Sequence, residues 1–315
     1  MKVKSRTVVG ENPAEERKAK RQIPTIQELS VRYMDYVKAY KRSWINDDRA
    51  LRNHILPKFG KLRLDELQQD DVAVWLKAKL DEDRAMASVN FLHIILGCMY
   101  KLAKQWKIPG AEINPMTGIP HFQANNARER YLTAAEAERL RIAVEASENK
   151  QLKYIVSLLL LTGARKTELF QARWADIDVD RRAWRVPLAK SGKARQIPLS
   201  KAALDVIAQL PKWEGCPFLI PNPETMQPFR MIHRSWDAAR RRAGLADVRM
   251  HDLRHSAASN MVNAGQSLYV VGKVLGHTQP TTTQRYAHLS QEALLAAADA
   301  GAGMMNIAWS EGRQV

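Results

Sequence analysis

Arg165, Lys190, His251, Arg254, His277 and Tyr286 occur in that order in the second half of the chain, and together they supply a phenol, two guanidinium groups, an ammonium and two imidazoles. A phenol with a pKa of about 10 is a weak nucleophile at neutral pH, so a tyrosine that attacks phosphorus needs a proton acceptor and cations for the phosphoryl oxygens. The chemistry this set fits is transfer of a phosphodiester to a tyrosine oxygen. Arg165 lies in TGARKTELFQARW, where a planar fork that never loses its charge suits the non-bridging oxygens of a phosphodiester. Glu168, three residues on, is placed to orient it; taken alone, the pair also reads as a surface arginine at a helix start with its carboxylate partner.

Lys190 precedes Ser191-Gly192 at the end of a strand, where a turn presents its ammonium to a neighbouring cleft and suits it to protonate a departing oxygen. Lys193, across the turn, is the rival that the sequence leaves open. RMHDLRHSAASNMV gathers His251, Arg254 and His255 on one helical face, with Asp252 available as a cap. The four-residue spacing of His251 and His255 raises zinc, but residue 252 is Asp where a metalloprotease helix carries Glu, and no third ligand follows; no metal is expected, and His255 reads as a packing or hydrogen-bonding residue. In VGKVLGHTQPTTTQRYAHLS, Gly276 ends one helix and Pro280 starts the next, bringing His277 and Tyr286 across a turn to one phosphate.

The elements that must position these residues are mostly helical. Residues 1–22 hold seven Lys/Arg and three Glu with few large apolar residues and read as a basic arm or linker. Thr25 caps a helix whose stripe is Ile26, Leu29, Tyr33, Tyr36, Val37 and Tyr40, all expected to pack. Further helices are expected over 46–56, ending before Pro57, over 69–80, and over 86–107 with Phe91, Ile94, Ile95, Met99 and Leu102 on one side. These make an all-α domain over 23–108. A Pro-, Gly- and Asn-rich stretch places a linker at 109–131. Beyond it, Thr133 and Glu136 form a capping box for a helix to Glu148, Leu152 to Thr162 is apolar nearly all round and hence buried, and the alternation in 177–199 predicts a short β-hairpin inside an α-rich domain over 132–290.

The balance of charge agrees with a polyanionic partner: 49 Lys and Arg against 33 Asp and Glu give a net charge of +16. Cys98 and Cys216 lack metal or disulfide spacing, no apolar leader opens the sequence, and LKYIVSLLLLTGA is too short to cross a bilayer, so a cytoplasmic protein without a membrane partner is expected.

TGARKTEL, AKSGK, HDLRH, LGHT and TQRYAH, five motifs in order over residues 132–290, resemble the tyrosine recombinases, the phage integrases of the lambda-integrase type. The helical segment 25–107 resembles the core-binding domain of that family through HILPKFGKLRLDEL and DDVAVWL, and GENPAEERKAKR is similar to the connection after an arm-binding domain. The resemblance implies the tyrosine recombinase fold, Arg165 and Arg254 as paired arginines, Lys190 as the hairpin lysine, His251 and His277 as the histidines, Glu168 as acidic support and Tyr286 as nucleophile, with no cofactor. It implies a clamp on duplex DNA at specific core sites, a homotetramer on two such sites, and a tail over 291–315 that docks on a neighbouring protomer, with room for an accessory DNA-bending or directionality factor. The expected activity is site-specific recombination through a 3′-phosphotyrosyl intermediate. The same residue types also serve type IB topoisomerases, and a non-catalytic DNA-binding protein on the same fold is the remaining alternative.

Overall fold

The computed structural model describes residues 22–123, 130–187 and 194–287, together with 295 and 298–302. Lys190, its rival Lys193, the arm over 1–21 and most of the tail beyond Ser290 lie outside the described residues. The chain divides into two compact units, one ending at Ala127 and the other beginning at Arg128.

In the first unit, helix α1 (Ile26–Tyr40) starts at Thr25, whose hydroxyl accepts from the Glu28 N–H while the Glu28 carboxylate accepts from the Thr25 N–H. This reciprocal cap satisfies two helix-end donors and sets the first residue of the element. Its buried stripe runs Ile26, Leu29, Tyr33, Met34 and Val37. Tyr36 and Tyr40 depart from expectation: they are 40% and 77% exposed, and the rings pack on each other at 4.7 Å rather than in the core. Positions 36 and 40 fall beside the Tyr33–Val37 seam, at the rim where Tyr36 meets Trp106 edge-on at 5.6 Å.

The expected stop before Pro57 is also corrected. Helix α2 (Trp44–Ala50) runs into a π-helical segment (Leu51–Ile55) and on into α3 (Leu56–Phe59), which carries Pro57 in its first turn. The Leu56 N–H bonds the Leu51 carbonyl, five residues back, so the proline, which has no N–H to give, falls where the hydrogen-bond register is shifting. Helices α4 (Gln69–Asp81) and α5 (Met86–Gln105) complete the bundle around Phe59, Trp75, Leu96, Met99 and Tyr100. Among the described residues α5 alone is long and apolar enough to cross a membrane, yet Val89, Leu92, Leu96, Tyr100 and Ala103 are buried in this core. Ile94, expected on its inner side, is 45% exposed because the buried face is centred on Leu92, Leu96 and Met99.

The second unit opens with α6 (Ala134–Glu145), capped by Thr133 and Glu136, and α7 (Leu152–Thr162), the apolar helix at the centre of the core. A five-residue helix, α8 (Lys166–Phe170), leads to a small antiparallel sheet in the order β1 (Ile177–Asp178), β2 (Ala183–Val186), β3 (Arg195–Pro198). The hairpin of 177–199 thus has a third, two-residue strand. Trp184 pairs with Ile197 and both are buried, which pins the register with the core face inward. Helices α9 (Lys201–Ala208), α10 (His233–Arg242), α11 (Asp252–Asn263), α12 (Leu268–Leu275) and α13 (Thr281–Gln284) follow. A separate cluster of Ala258, Val262, Val271, Leu275 and Tyr286 joins α11 and α12 to the segment after α13.

Candidate active site

The site is assembled where several helices end. Helix α7 closes at Gly163, and the chain turns through Ala164 so that Arg165 caps α8 from an extended backbone. The Glu168 carboxylate, on the first turn of α8, accepts from the Arg165 backbone N–H and from its Nη1, both at 2.9 Å. It also accepts from Arg195 Nη2 at 2.7 Å. Burial pushes the Glu168 carboxyl up, and the bonds from Arg195 and Arg165 outweigh it, leaving the group below the ordinary carboxylate range and ionised at neutral pH. One buried carboxylate therefore fixes two guanidinium groups from different elements.

Arg254, on the first turn of α11, is buried among backbone acceptors. Its Nη1 donates to the Gly163 carbonyl and its Nη2 to the Leu275 carbonyl at 2.8 Å, so it ties the C-terminal ends of α7 and α12 together. Helix C-termini carry partial negative charge and unpaired carbonyls, which favour a cation there. Burial, and then the nearby charges of Arg165 and Arg195, pull Arg254 down to about 10, and it remains a cation at pH 7. Arg195 Nη1 reaches the same helix end through the Val274 carbonyl at 2.9 Å. Gly276, with φ +68, lets that approach happen: a Cβ there would stand 2.6 Å from Arg195 Cδ.

His277 follows at once. Its Nδ1 lies 2.8 Å from Thr283 Oγ1 on α13, so in the tautomer that accepts this bond Nε2–H is left to donate outward. Burial and then Arg254, Arg165, Arg285 and Arg195 push its pKa down to about 4, and the ring is neutral at physiological pH. His251 caps α11, and burial followed by Arg254 lowers it as well. Its ring stands edge-on to that of His255, with centroids 5.1 Å apart, and among the described residues no third His, Cys, Asp or Glu joins them in a metal-holding group.

Tyr286 is only 5% exposed, packed in the Leu275 cluster with its Oη 2.6 Å from His255 Nδ1. Burial raises its pKa, while Arg285 and Arg254 act in the opposite direction. The structure thus gathers Arg165, Glu168, Arg254, His277, His251 and Tyr286 around the ends of α7, α11 and α12. Arg195 escaped the sequence reading, and so did the partner of His255, which was read only as a packing or hydrogen-bonding residue. Arg195 had a usable signal, since it shares a strand face with buried Ile197 and a charge on the inward side of an alternation needs a partner. The His255 contact had none, because it depends on how the chain after α13 folds back.

Residues 130–293, just over half of the chain, match the model described as the phage integrase family. The chain belongs to the phage integrase family. Residues 25–80 match the N-terminal SAM-like domain of phage integrases. Among relatives of this phage integrase, the shufflon-specific DNA recombinase of Escherichia coli is 24% identical over 294 residues, covering 88% of this chain and 73% of that protein. Tyrosine recombinase XerC of Staphylococcus haemolyticus is 27% identical over 85% of this chain and 95% of its own length. The integrase of Salmonella phage P22 is 32% identical over 63% of this chain and 53% of that protein. The fold is that of the Tn1549 transposon integrase in complex with transposon right end DNA, at a TM-score of 0.71, 18% identity and coverage of 88% and 99% of the two chains. A lambda integrase tetramer bound to a Holliday junction gives 0.70, 19%, and 90% and 84%. As a phage integrase, this protein is a tyrosine-type site-specific recombinase, an enzyme that breaks and rejoins DNA.

Proposed function

We propose that Tyr286 is the nucleophile of this recombinase and that the surrounding cations hold the scissile phosphate. The observation that carries the reading is the placement of the phenol. Tyr286 shares a buried cluster with Leu275, whose carbonyl accepts from Arg254, and the Arg254 charge acts on the phenol as those of Arg165 and Arg195 act on Arg254. A phosphate bound by the free N–H groups of Arg165 and Arg254 would lie beside the phenol.

In this mechanism Tyr286 Oη attacks phosphorus, a 3′-phosphotyrosyl bond forms, and the 5′ oxygen departs. Charge that builds on the non-bridging oxygens is met by Arg165, Arg254 and the Nε2–H of His277, with His251 as a further donor. Glu168 holds the first arginine in place, and Lys190 is assigned the proton for the leaving 5′ oxygen. The new 5′ hydroxyl then attacks the equivalent phosphotyrosine in a partner strand. The phosphotyrosyl linkage retains the bond energy, so neither nucleotide hydrolysis nor a cofactor is invoked.

The domain assignment follows the same reading. Residues 23–108 serve as the core-binding domain, 109–131 as the linker, 132–290 as the catalytic domain, and 291–315 as a segment that docks on a neighbouring protomer in a homotetramer on two DNA sites. DNA-bending or directionality factors belong to the same proposal, with the cytoplasm as its place of action.

The test is a nicked suicide substrate, from which the strand past the cleavage point diffuses away and traps the covalent protein–DNA adduct. Wild-type protein accumulates the adduct, and Tyr286→Phe accumulates none while binding the duplex as before. An adduct formed by Tyr286→Phe overturns the assignment.

A further inference from the structure

We propose that His255 is the base that receives the phenolic proton of Tyr286 as the nucleophile attacks, an inference that rests on the assignment of Tyr286 above. Phosphate contacts and the leaving oxygen are served by Arg165, Lys190, His251, Arg254 and His277, and none of these accounts for the proton that the phenol must lose. His255 Nδ1 lies 2.6 Å from Tyr286 Oη, within reach for direct transfer, and the ring centroids are 6.0 Å apart. The phenol is buried with Ala258, Val262, Val271 and Leu275, which leaves bulk water little access to take the proton instead.

The position of His255 is held by the protein. It lies on the first turn of α11 next to Arg254, and its ring meets the His251 ring edge-on at an interplanar angle of 89°. The charged and titratable groups that act on it are His251, Asp252 and Arg254 from its own helix and Arg285 from the segment that carries Tyr286. Burial first, and then His251 and Arg285, push the imidazole down to about 4, so its lone pair is free at neutral pH. In the tautomer with the hydrogen on Nε2, the phenol donates to Nδ1. A base this weak is a poor proton sink in the free enzyme. A phosphodiester bound beside Arg254 brings negative charge that offsets the cations, and an opposite charge favours the imidazolium. Substrate binding therefore strengthens the base at the moment it is needed, and the phenol stays protonated until then.

The balance of the step is complete. The Tyr286 O–H bond breaks and its proton passes to His255 Nδ1, the Oη–P bond forms, the P–O5′ bond breaks, and the 5′ oxygen takes a proton from the general acid. In the return step the 5′ hydroxyl attacks phosphorus and its proton returns to the deprotonated general acid, while the P–Oη bond breaks and the imidazolium gives its proton back to the departing phenol oxygen.

The experiment is single-turnover adduct formation on the nicked substrate by wild type, His255→Asn and His255→Ala, with tyrosine or a difluorinated, more acidic tyrosine at position 286. Asparagine keeps an acceptor near the place of Nδ1 but cannot take a proton, so it separates holding the phenol from deprotonating it. Both variants are expected to bind the duplex within about twofold of wild type and to form adduct about 10²–10⁴-fold more slowly. Their rates should rise by about tenfold per pH unit until the phenol titrates, and the fluorinated residue should restore much of the loss in the variants while changing wild type little. Adduct formation by His255→Asn within about threefold of wild type overturns the proposal. So does a loss that neither alkaline pH nor the fluorinated residue relieves, which marks a packing role. Tyr286→Phe runs alongside: an adduct there removes the nucleophile assignment itself, whereas an inert Tyr286→Phe with a fully active His255→Asn removes only the base.

Discussion

Arg195 Nη2 donates to Glu168 Oε2 at 2.7 Å, so the strand that follows the hairpin turn and the helix behind Arg165 are joined through one buried carboxylate. Replacing Glu168 with Gln keeps the shape and removes the charge, leaving two guanidinium groups close together without their counter-ion. Arg165 is partly exposed, which softens the effect, and the expected loss is about 2–4 kcal/mol of stability. Urea titration reads that loss. A fall in adduct formation of about tenfold or more should accompany it, since Arg165 is no longer oriented.

Gly276→Ala should damage the same network from the other side. The substitution forces an alanine into φ +68 and sets its Cβ 2.6 Å from Arg195 Cδ, so Arg195 must leave either Glu168 or the Val274 carbonyl. Gly244→Ala is the control, because its φ is +70 but nothing lies within 4 Å of the added carbon. Thermal melts should show about 1 kcal/mol lost at Gly244 and about 2–3 kcal/mol at Gly276, and only the second should slow cleavage.

Acid should weaken the second unit in two stages. His255 and His277 are held at about 4 in the folded chain, against about 6.5 when unfolded, so between these values the unfolded state binds more protons. Their contribution is whole above pH 6.5 or so and is lost as pH falls towards 4. Glu168 has a lowered pKa and acts in the same direction at lower pH: its stabilisation is present above about 4.3 and disappears as pH drops through its folded value. Stability measured from pH 8 to 4 should fall throughout the lower half, and His277→Asn should flatten the slope between 6.5 and 4.

In the first unit, Asp47 is fully buried, accepts from the Tyr33 hydroxyl at 2.8 Å and pairs with Lys41 Nζ at 2.6 Å. Burial, then Asp47, raises the Tyr33 phenol, which therefore stays a donor. Asp47→Ala strands that hydroxyl in the core and should cost about 2–3 kcal/mol, whereas adding Tyr33→Phe should recover part of it. A melt of each variant checks the pair. Asp47→Ala alone being the more stable of the two would contradict the account.

Local signals carried much of this structure into the sequence. Thr25 with Glu28 and Thr133 with Glu136 announce helix starts through side chains that serve their own backbone, and the apolar run from Leu152 to Thr162 states its burial directly. Arg165, Arg254 and His277 were legible because each lies at the end of a recognisable helix. Other features depend on contacts far apart in the chain. Pro57 continues a helix because a π segment shifts the register before it, and Tyr36 and Tyr40 sit outside the seam by a fraction of a turn. Tyr286 has polar neighbours that give no hint of its burial, which arises only when the four-residue α13 turns the chain back onto α11 and α12.

The grip of Arg254 on the Gly163 and Leu275 carbonyls has an evolutionary corollary. Main-chain oxygens are the same whatever side chain sits above them, so the anchorage constrains where two helices stop and says little about what they are made of. Side chains along α7 and α12 can then change without loosening this hold, provided that the two helices still end at the same places.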